Sequence, residues 1–218
     1  MASSRQDIIN AYPKAEPIVD NIIDLAKKLG VPDPGWLANL INFESGFSSS
    51  IVNPSSDATG LIQFMPSTAA GLGTSTAALR QMSPKQQWPY VEEYFLKKKR
   101  QKKPFKGPTD LYMAVFYPVA MGKGPDFSIA DHYARDKGAQ PGSSAYQSRF
   151  DYIKKINLGI ETAGDYTRWA NSKAKLPTGL EGLGVQVWPK VLGASILLLG
   201  LGIYIYMEEP EWAKPLWE

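Results

Sequence analysis

The sequence predicts a mainly α-helical domain followed by one transmembrane helix near the C-terminus. Apolar residues recur at helical spacing in several segments, no segment has the alternating pattern of a persuasive strand, and Val191–Met207 holds no charged residue over seventeen positions. The length of 218 residues suits one main domain. We place this domain at residues 1–170, a linker at 171–187, the transmembrane helix at 188–207 and a short acidic tail at 208–218.

The first strong helical pattern runs from Ile18 to Leu29, and Gly30 follows it in the position of a C-terminal stop. A second apolar stretch begins at Trp36 and ends at Glu44. Residues 45–59 are rich in Ser, Pro, Asn, Gly and Asp, which predicts a loop. Further helices are predicted at Leu61–Ala70, from Ser83 onward, at Asp110–Ala120 and at Tyr146–Thr162, with a basic run at Lys97–Lys106 and loop-like residues at 122–144.

The composition narrows the classes of function. A net charge of +3 is too small to indicate nucleic-acid binding, so no nucleic-acid partner is expected. The chain has no cysteine, which excludes disulfides and thiolate metal sites. His132 is the only histidine, and no carboxylate pair stands at ligand spacing. We therefore expect neither a metal nor a cofactor, and we interpret His132 as an ordinary loop residue.

Two short motifs carry the most specific signal. Glu44-Ser45 closes a predicted helix, and the run GLIQFMP at residues 60–66 follows the loop. The order and spacing of these motifs resemble the soluble lytic transglycosylase (SLT) family, which shares its core with goose-type lysozyme. The resemblance extends over roughly residues 32–156. It implies a lysozyme-like (SLT/goose-type) helical domain and an enzyme that cleaves the glycan strands of peptidoglycan.

Glu44 is the predicted catalytic acid. Because it ends an apolar helix face, its carboxyl is expected to be partly desolvated, and desolvation raises a carboxyl pKa. Such a group can protonate a glycosidic oxygen. The alternative is a surface glutamate paired with a lysine, and the neighbouring motif favours the acid. The resemblance implies that this single carboxyl cleaves the MurNAc–GlcNAc bond and then acts as base on the muramoyl 6-hydroxyl, which yields a 1,6-anhydro product.

Asp57 leaves the type of reaction open. It follows Glu44 by thirteen residues, in a loop where goose-type enzymes place a carboxylate that positions water. A hydrolytic muramidase is therefore the alternative to a transglycosylase. Turn formation within SSDATG is the simpler interpretation of Asp57, and we favour it.

The resemblance also implies roles for other side chains. Gln63 corresponds to a glutamine that hydrogen-bonds the sugar, and Met65 to a residue that contacts the glycan. Asn53 stands where the family has a serine, and its amide can donate in the same way. Tyr117 corresponds to a tyrosine that hydrogen-bonds the acid, although Pro118 replaces the asparagine that the family has next to it. A further tyrosine, Tyr146 or Tyr152, is expected in a closing helix near the cleft, and the choice between them stays open.

The apolar run Val191–Met207 spans roughly 26 Å as a helix, near the short limit for crossing a bilayer. A buried core helix is the alternative, but the charge-free run follows a linker-like segment. Three lysines precede the run, whereas Lys214 is the one basic residue after it. By the positive-inside rule this places the enzyme domain on the cytoplasmic side. Residues 1–10 do not read as a signal peptide.

This orientation is the wrong side for wall degradation in a healthy bacterium, and a bacteriophage resolves the conflict. Residues 79–95 also resemble phage versions of the domain. We therefore expect a virion-associated enzyme in the membrane of a phage, with the lipid bilayer, peptidoglycan and virion proteins as partners. A glycan-binding module without activity and a structural virion membrane protein are the alternatives. The intact Glu44 argues against a pure binding module.

Overall fold

The computed structural model describes residues 1–101, 105–156 and 159–180. These residues contain no β-strand, and only isolated bridges occur among them. The α-helices within them are α1 (Arg5–Ala11), α2 (Val19–Leu29), α3 (Gly35–Ser45), α4 (Pro66–Gly71), α5 (Thr76–Arg80), α6 (Pro84–Gln101), α7 (Pro108–Phe116), α8 (Ile129–Asp136), α9 (Ser144–Ile156) and α10 (Ala163–Asn171). Short 3-10 helices cover Pro13–Ile18 and Pro118–Ala120. The prediction of a mainly helical domain is confirmed for this part of the chain.

Helix α3 lies at the centre of the domain. It packs against α2 on one side and against α7 and α10 on the other, while α2 also contacts α1 and α6. Leu37, Leu40 and Ile41 of α3 are fully buried. Each such side chain contributes roughly 1.5–3 kcal/mol through removal of apolar surface from water. The end of α3, where Glu44 stands, is therefore held by the core of the domain.

The predicted bounds of the first helices are confirmed closely. Helix α2 ends at Leu29, and Gly30 adopts a left-handed conformation with φ of 77° that a side chain would disfavour. The helix predicted at Leu61–Ala70 is shorter than expected. Residues 61–64 form a turn, because Gly60 and Gln63 both have positive φ, and α4 begins only at Pro66.

The second half of the chain holds two helices that the periodicity did not predict. Helix α8 lies within the segment predicted to be a loop, and Ser128 caps it by accepting a hydrogen bond from Asp131 N at 3.1 Å. The helix predicted at Tyr146–Thr162 corresponds to α9, which ends earlier, at Ile156, and α10 is a separate helix that begins at Ala163. Thr162 and Asp165 form a capping box that starts α10 instead of continuing α9. His132 therefore lies on a helix, and its interpretation as a loop residue is wrong.

The start of the predicted linker is packed against the domain. The backbone N–H of Lys175 donates to Tyr12 Oη at 2.8 Å, and Tyr12 Oη donates to Asn39 Oδ1 at 2.7 Å. Asn39 Nδ2 in turn donates to the carbonyl of Leu176 at 3.2 Å. This buried network joins α3, the N-terminal region and residues 175–176, so the folded unit extends past the predicted boundary at residue 170.

None of the helices in the described ranges is long and apolar enough to cross a bilayer. The predicted transmembrane helix at 188–207 and the acidic tail at 208–218 lie outside the described residues, as does the linker beyond residue 180.

Candidate active site

The carboxyl of Glu44 lies inside the domain at the end of α3, and the residue is only 3% exposed. Gly46 ends the helix in a left-handed conformation two residues later. Two effects raise the pKa of both Tyr112 and Tyr166: burial, which is the larger, and the charge of Glu44. The carboxyl of Glu44 therefore acts electrostatically on a tyrosine of α7 and a tyrosine of α10, and both tyrosines stay neutral at ordinary pH.

An aromatic cluster surrounds this end of α3. Tyr166 stacks on Phe116 with ring centroids 3.7 Å apart and an interplanar angle of 11°. Phe43, the residue before Glu44, meets Trp169 edge-on at 5.0 Å. Trp169 is 41% exposed, so the cluster reaches the surface at α10. Rings of low polarity next to a buried carboxyl favour its protonated form.

The turn that carries Gln63 is tightly fixed. Thr59 and Phe64 exchange two backbone hydrogen bonds, at 3.0 Å and 2.9 Å, and Val52 forms a bridge to Thr59. Gln63 has φ of 52°, an unfavourable conformation for a residue with a side chain, and is 8% exposed. Its Nε2 donates to the carbonyl of Gly60 at 3.1 Å. Strained backbone of this kind persists where the surrounding structure imposes it, commonly at functional sites.

Ser45 joins this turn to the end of α3. Its hydroxyl lies 3.1 Å from the carbonyl of Ile41 and 2.9 Å from the carbonyl of Leu61. The two motifs of the sequence are therefore adjacent in space, with Glu44 and the turn at residues 60–63 on the same side of the domain. Ser45 has a structural role here.

Gln87 is a residue of the site region whose role the sequence did not reveal. It is fully buried on α6. Its Oε1 accepts from Leu61 N at 2.6 Å, and its Nε2 donates to the carbonyls of Ser49 and Leu79, each at 3.1 Å. A Cβ on Gly60 would lie 2.4 Å from the Gln87 amide, so only glycine leaves room for this contact. One side chain thus ties the loop, the turn and the end of α5 to α6.

Asn53 and Asp57 lie together in a turn of the loop. Asn53 is 5% exposed, and its Oδ1 accepts from Ser55 N at 2.9 Å, so its side chain stabilises the turn itself. Asp57 has φ of 59°, and its carboxylate accepts from Thr76 Oγ1 at 2.6 Å and pairs with Arg80. Both contacts anchor Asp57 to α5. The turn interpretation of Asp57 therefore has direct structural support.

Met65 and Tyr117 have different surroundings. Met65 is partly exposed and immediately precedes α4. The hydroxyl of Tyr117, for which the resemblance predicts a hydrogen bond to Glu44, lies 2.6 Å from His132 Nδ1 on α8. Tyr117 precedes Pro118, and a residue before a proline is pushed out of the helical conformation, in agreement with its φ of −145° and ψ of 77°. The charge of Glu44 acts on Tyr112 and Tyr166.

The two tyrosines left open by the sequence are also placed. Tyr146 Oη donates to Asp131 of α8, and Tyr152 is 54% exposed. The tyrosine of a closing helix that lies near Glu44 is Tyr166, which belongs to α10. No group of three His, Cys, Asp or Glu side chains in the described residues is arranged to hold a metal ion.

The described residues thus form a helical domain in which a buried glutamic acid at a helix end lies near a strained turn that carries a glutamine. Residues 20–87 match the family model described as Transglycosylase SLT domain. The members of this family are lytic transglycosylases that act on peptidoglycan. The match includes Glu44, the turn and Gln87, and covers about a third of the chain. No curated protein and no solved structure matches the chain.

Proposed function

We propose that this enzyme cleaves the β-1,4 bond between MurNAc and GlcNAc with Glu44 as its only catalytic carboxyl and releases a 1,6-anhydromuramoyl end. The burial of Glu44 beside neutral tyrosines carries the proposal. Burial disfavours the charged form of a carboxyl, and a protonated carboxyl can donate its proton to the leaving glycosidic oxygen. In this scheme Gln63 and Met65 contact the sugar, and Asn53 supports the loop between the two motifs.

The reaction proceeds in two steps at the same carboxyl. Glu44 first protonates the glycosidic oxygen, and the C1–O bond of MurNAc breaks with the N-acetyl group stabilising the cation. The 6-hydroxyl of the same MurNAc then attacks C1, and the Glu44 carboxylate removes the hydroxyl proton. The acid is restored and no water is consumed.

Asp57 distinguishes this scheme from hydrolysis. A hydrolytic muramidase needs a second carboxylate that positions water. The carboxylate of Asp57 is already engaged by Arg80 and Thr76, which favours the single-acid scheme.

The test combines two variants with product analysis by mass spectrometry. Glu44→Gln should abolish clearing of peptidoglycan in a zymogram. Asp57→Asn should lose at most about 1 kcal/mol of stability, because its ion pair is partly exposed, and should still give anhydro ends. Clearing that persists in Glu44→Gln would refute the assignment of the acid. Hydrated reducing ends from the wild type, lost in Asp57→Asn, would establish the hydrolytic alternative.

We also propose that residues 188–207 anchor this enzyme in a bilayer, and that it serves a phage in penetrating the cell wall. The charge-free run Val191–Met207, the lysines before it and the phage-like character of residues 79–95 support this. Alkaline extraction tests the anchor, since an integral protein stays with the membrane pellet. Mass spectrometry of purified virions tests the location, and detection only in infected-cell cytosol would contradict it.

A further inference from the structure

The C-terminal half of helix α6 carries a run of basic side chains. Arg100 pairs with Glu93 at 2.6 Å, and Lys99 donates to the carbonyl of Lys28 at 2.6 Å. Lys28 itself pairs with Glu92 of α6. Lys97 and Lys98 line a groove between α4 and α6.

The groove has the chemistry of an anion site. Its polar lining comes from Ser67, Thr68, Lys97, Lys98 and Gln101, and no acidic residue of the described chain lines it. Lys98 is 8% exposed, and its ammonium lies 5.3 Å from the centre of the Tyr94 ring.

Several groups in the groove are available to a ligand. The side chains of Ser67, Thr68, Lys97 and Gln101 form no hydrogen bond or ion pair with other residues that the structure describes. Two hydroxyls, an amide and an ammonium thus line the same groove without partners among the described residues. Together they can donate several hydrogen bonds to one carboxylate.

The groove adjoins the active-site turn. Helix α4 begins directly after Met65, the predicted glycan contact, so Ser67 and Thr68 follow it by two and three residues. The ring of Tyr94, which lines the groove, meets the ring of Phe64 edge-on at 6.2 Å. A glycan strand held against Met65 therefore passes close to the mouth of the groove.

We propose that this groove, formed by α4 and the C-terminal half of α6, binds carboxylates of the peptide stems attached to the glycan. The proposal rests on the proposed function, because the glycan must lie along the turn at residues 60–65. Each MurNAc carries a stem with free carboxylates, so a strand seated at Glu44 brings these anions to the same side of the domain. The groove then gives the enzyme a preference for glycan that still bears its stems.

The experiment compares Lys97→Gln with Lys85→Gln in the full chain. Both lysines lie on α6, and Lys85 is exposed and outside the groove. Initial rates are measured on three substrates. The first is un-cross-linked glycan with its peptide stems, and the second is the same glycan after an amidase has removed the stems. The third keeps the stems but has been freed of phosphodiester-linked polymers. Lys97→Gln should raise KM about two- to fivefold on both stem-bearing substrates, leave kcat unchanged, and match the wild type on stripped strands. Lys85→Gln should match the wild type throughout.

Three results would overturn the proposal. They are an unchanged KM for Lys97→Gln on stem-bearing strands, an equal defect on stripped strands, and a defect that disappears when only the phosphate polymers are removed. Co-sedimentation of the variants with stem-bearing and stripped strands tests the groove independently of turnover. A wild-type protein that cleaves no substrate would contradict the proposed function, whereas stem-dependent binding lost in Lys97→Gln would still support the groove.

Discussion

Replacing Gln87 with leucine tests how the active-site turn is held. The change keeps the approximate size of the side chain and removes three hydrogen bonds to the backbone of Leu61, Ser49 and Leu79. At about 1 kcal/mol for each bond the loss is about 3 kcal/mol, and it rises to about 6 kcal/mol where the buried groups find no water. Typical domains have only about 5–15 kcal/mol of stability.

Urea unfolding of Gln87→Leu and Gln86→Leu gives the comparison. Gln86 is the neighbouring exposed glutamine, and its Oε1 accepts from Ser83 N at 2.9 Å as part of a helix cap. Its replacement should cost about 1 kcal/mol. A difference below about 1 kcal/mol between the two variants, at equal m-values, would refute the clamp role of Gln87.

Gln87→Glu tests the clamp by kinetics, at a temperature where circular dichroism shows the variant to be folded. Because the site is fully buried, the new carboxyl is expected to be protonated. It then accepts from Leu61 N and donates one hydrogen bond, so one of the carbonyls of Ser49 and Leu79 loses its partner. We expect kcat to fall with little change in KM, because Gln63 shifts relative to Glu44. Equal kinetics in Gln87→Glu and the wild type would show that the clamp serves stability alone.

Two further predictions concern the glycine beside Gln87 and the buried network of Tyr12. Gly60→Ala should destabilise the protein by at least about 2 kcal/mol, because φ at this position is 81° and the new methyl meets the Gln87 amide. The cost should shrink in a Gln87→Ala background, where the amide is absent. Additive costs in this double-mutant cycle would contradict the contact. Tyr12→Phe should lower the free energy of unfolding by about 1–3 kcal/mol, because it removes the hydrogen bonds to Asn39 and Lys175. It should also increase proteolysis after residue 170. Resistance to proteolysis equal to that of the wild type would show that this network does not hold the segment.

Local patterns predicted the centre of the domain well. The apolar spacing at Ile18–Leu29 and the glycine after it marked α2 within one residue, because helix periodicity and a left-handed cap are encoded locally. The order of the two motifs indicated that both belong to one site, and the contact between the Ser45 hydroxyl and the carbonyl of Leu61 brings them close together. These features depend on residues close together in the sequence.

Features set by distant contacts were not predictable in the same way. Gln87 reads as a helix-cap residue until Ser49, Leu61 and Leu79 are known to surround it. Helices α8 and α10 are short, and their caps at Ser128 and Thr162 are stronger signals than their periodicity. The tyrosines beside the acid come from two helices, and only packing could distinguish them from Tyr117.

The part of the chain that matches the family ends at Gln87, and this boundary has a physical meaning. The matched residues contain the acid, the turn and the clamp that ties the turn to α6, so they include the parts that align a proton donor with a sugar in the proposed scheme. The aromatic rings of α7 and α10 and the groove lysines of α6 lie beyond it. The proposed acid and its adjoining turn thus lie in the matched segment, whereas much of the aromatic surroundings of the acid comes from helices after it.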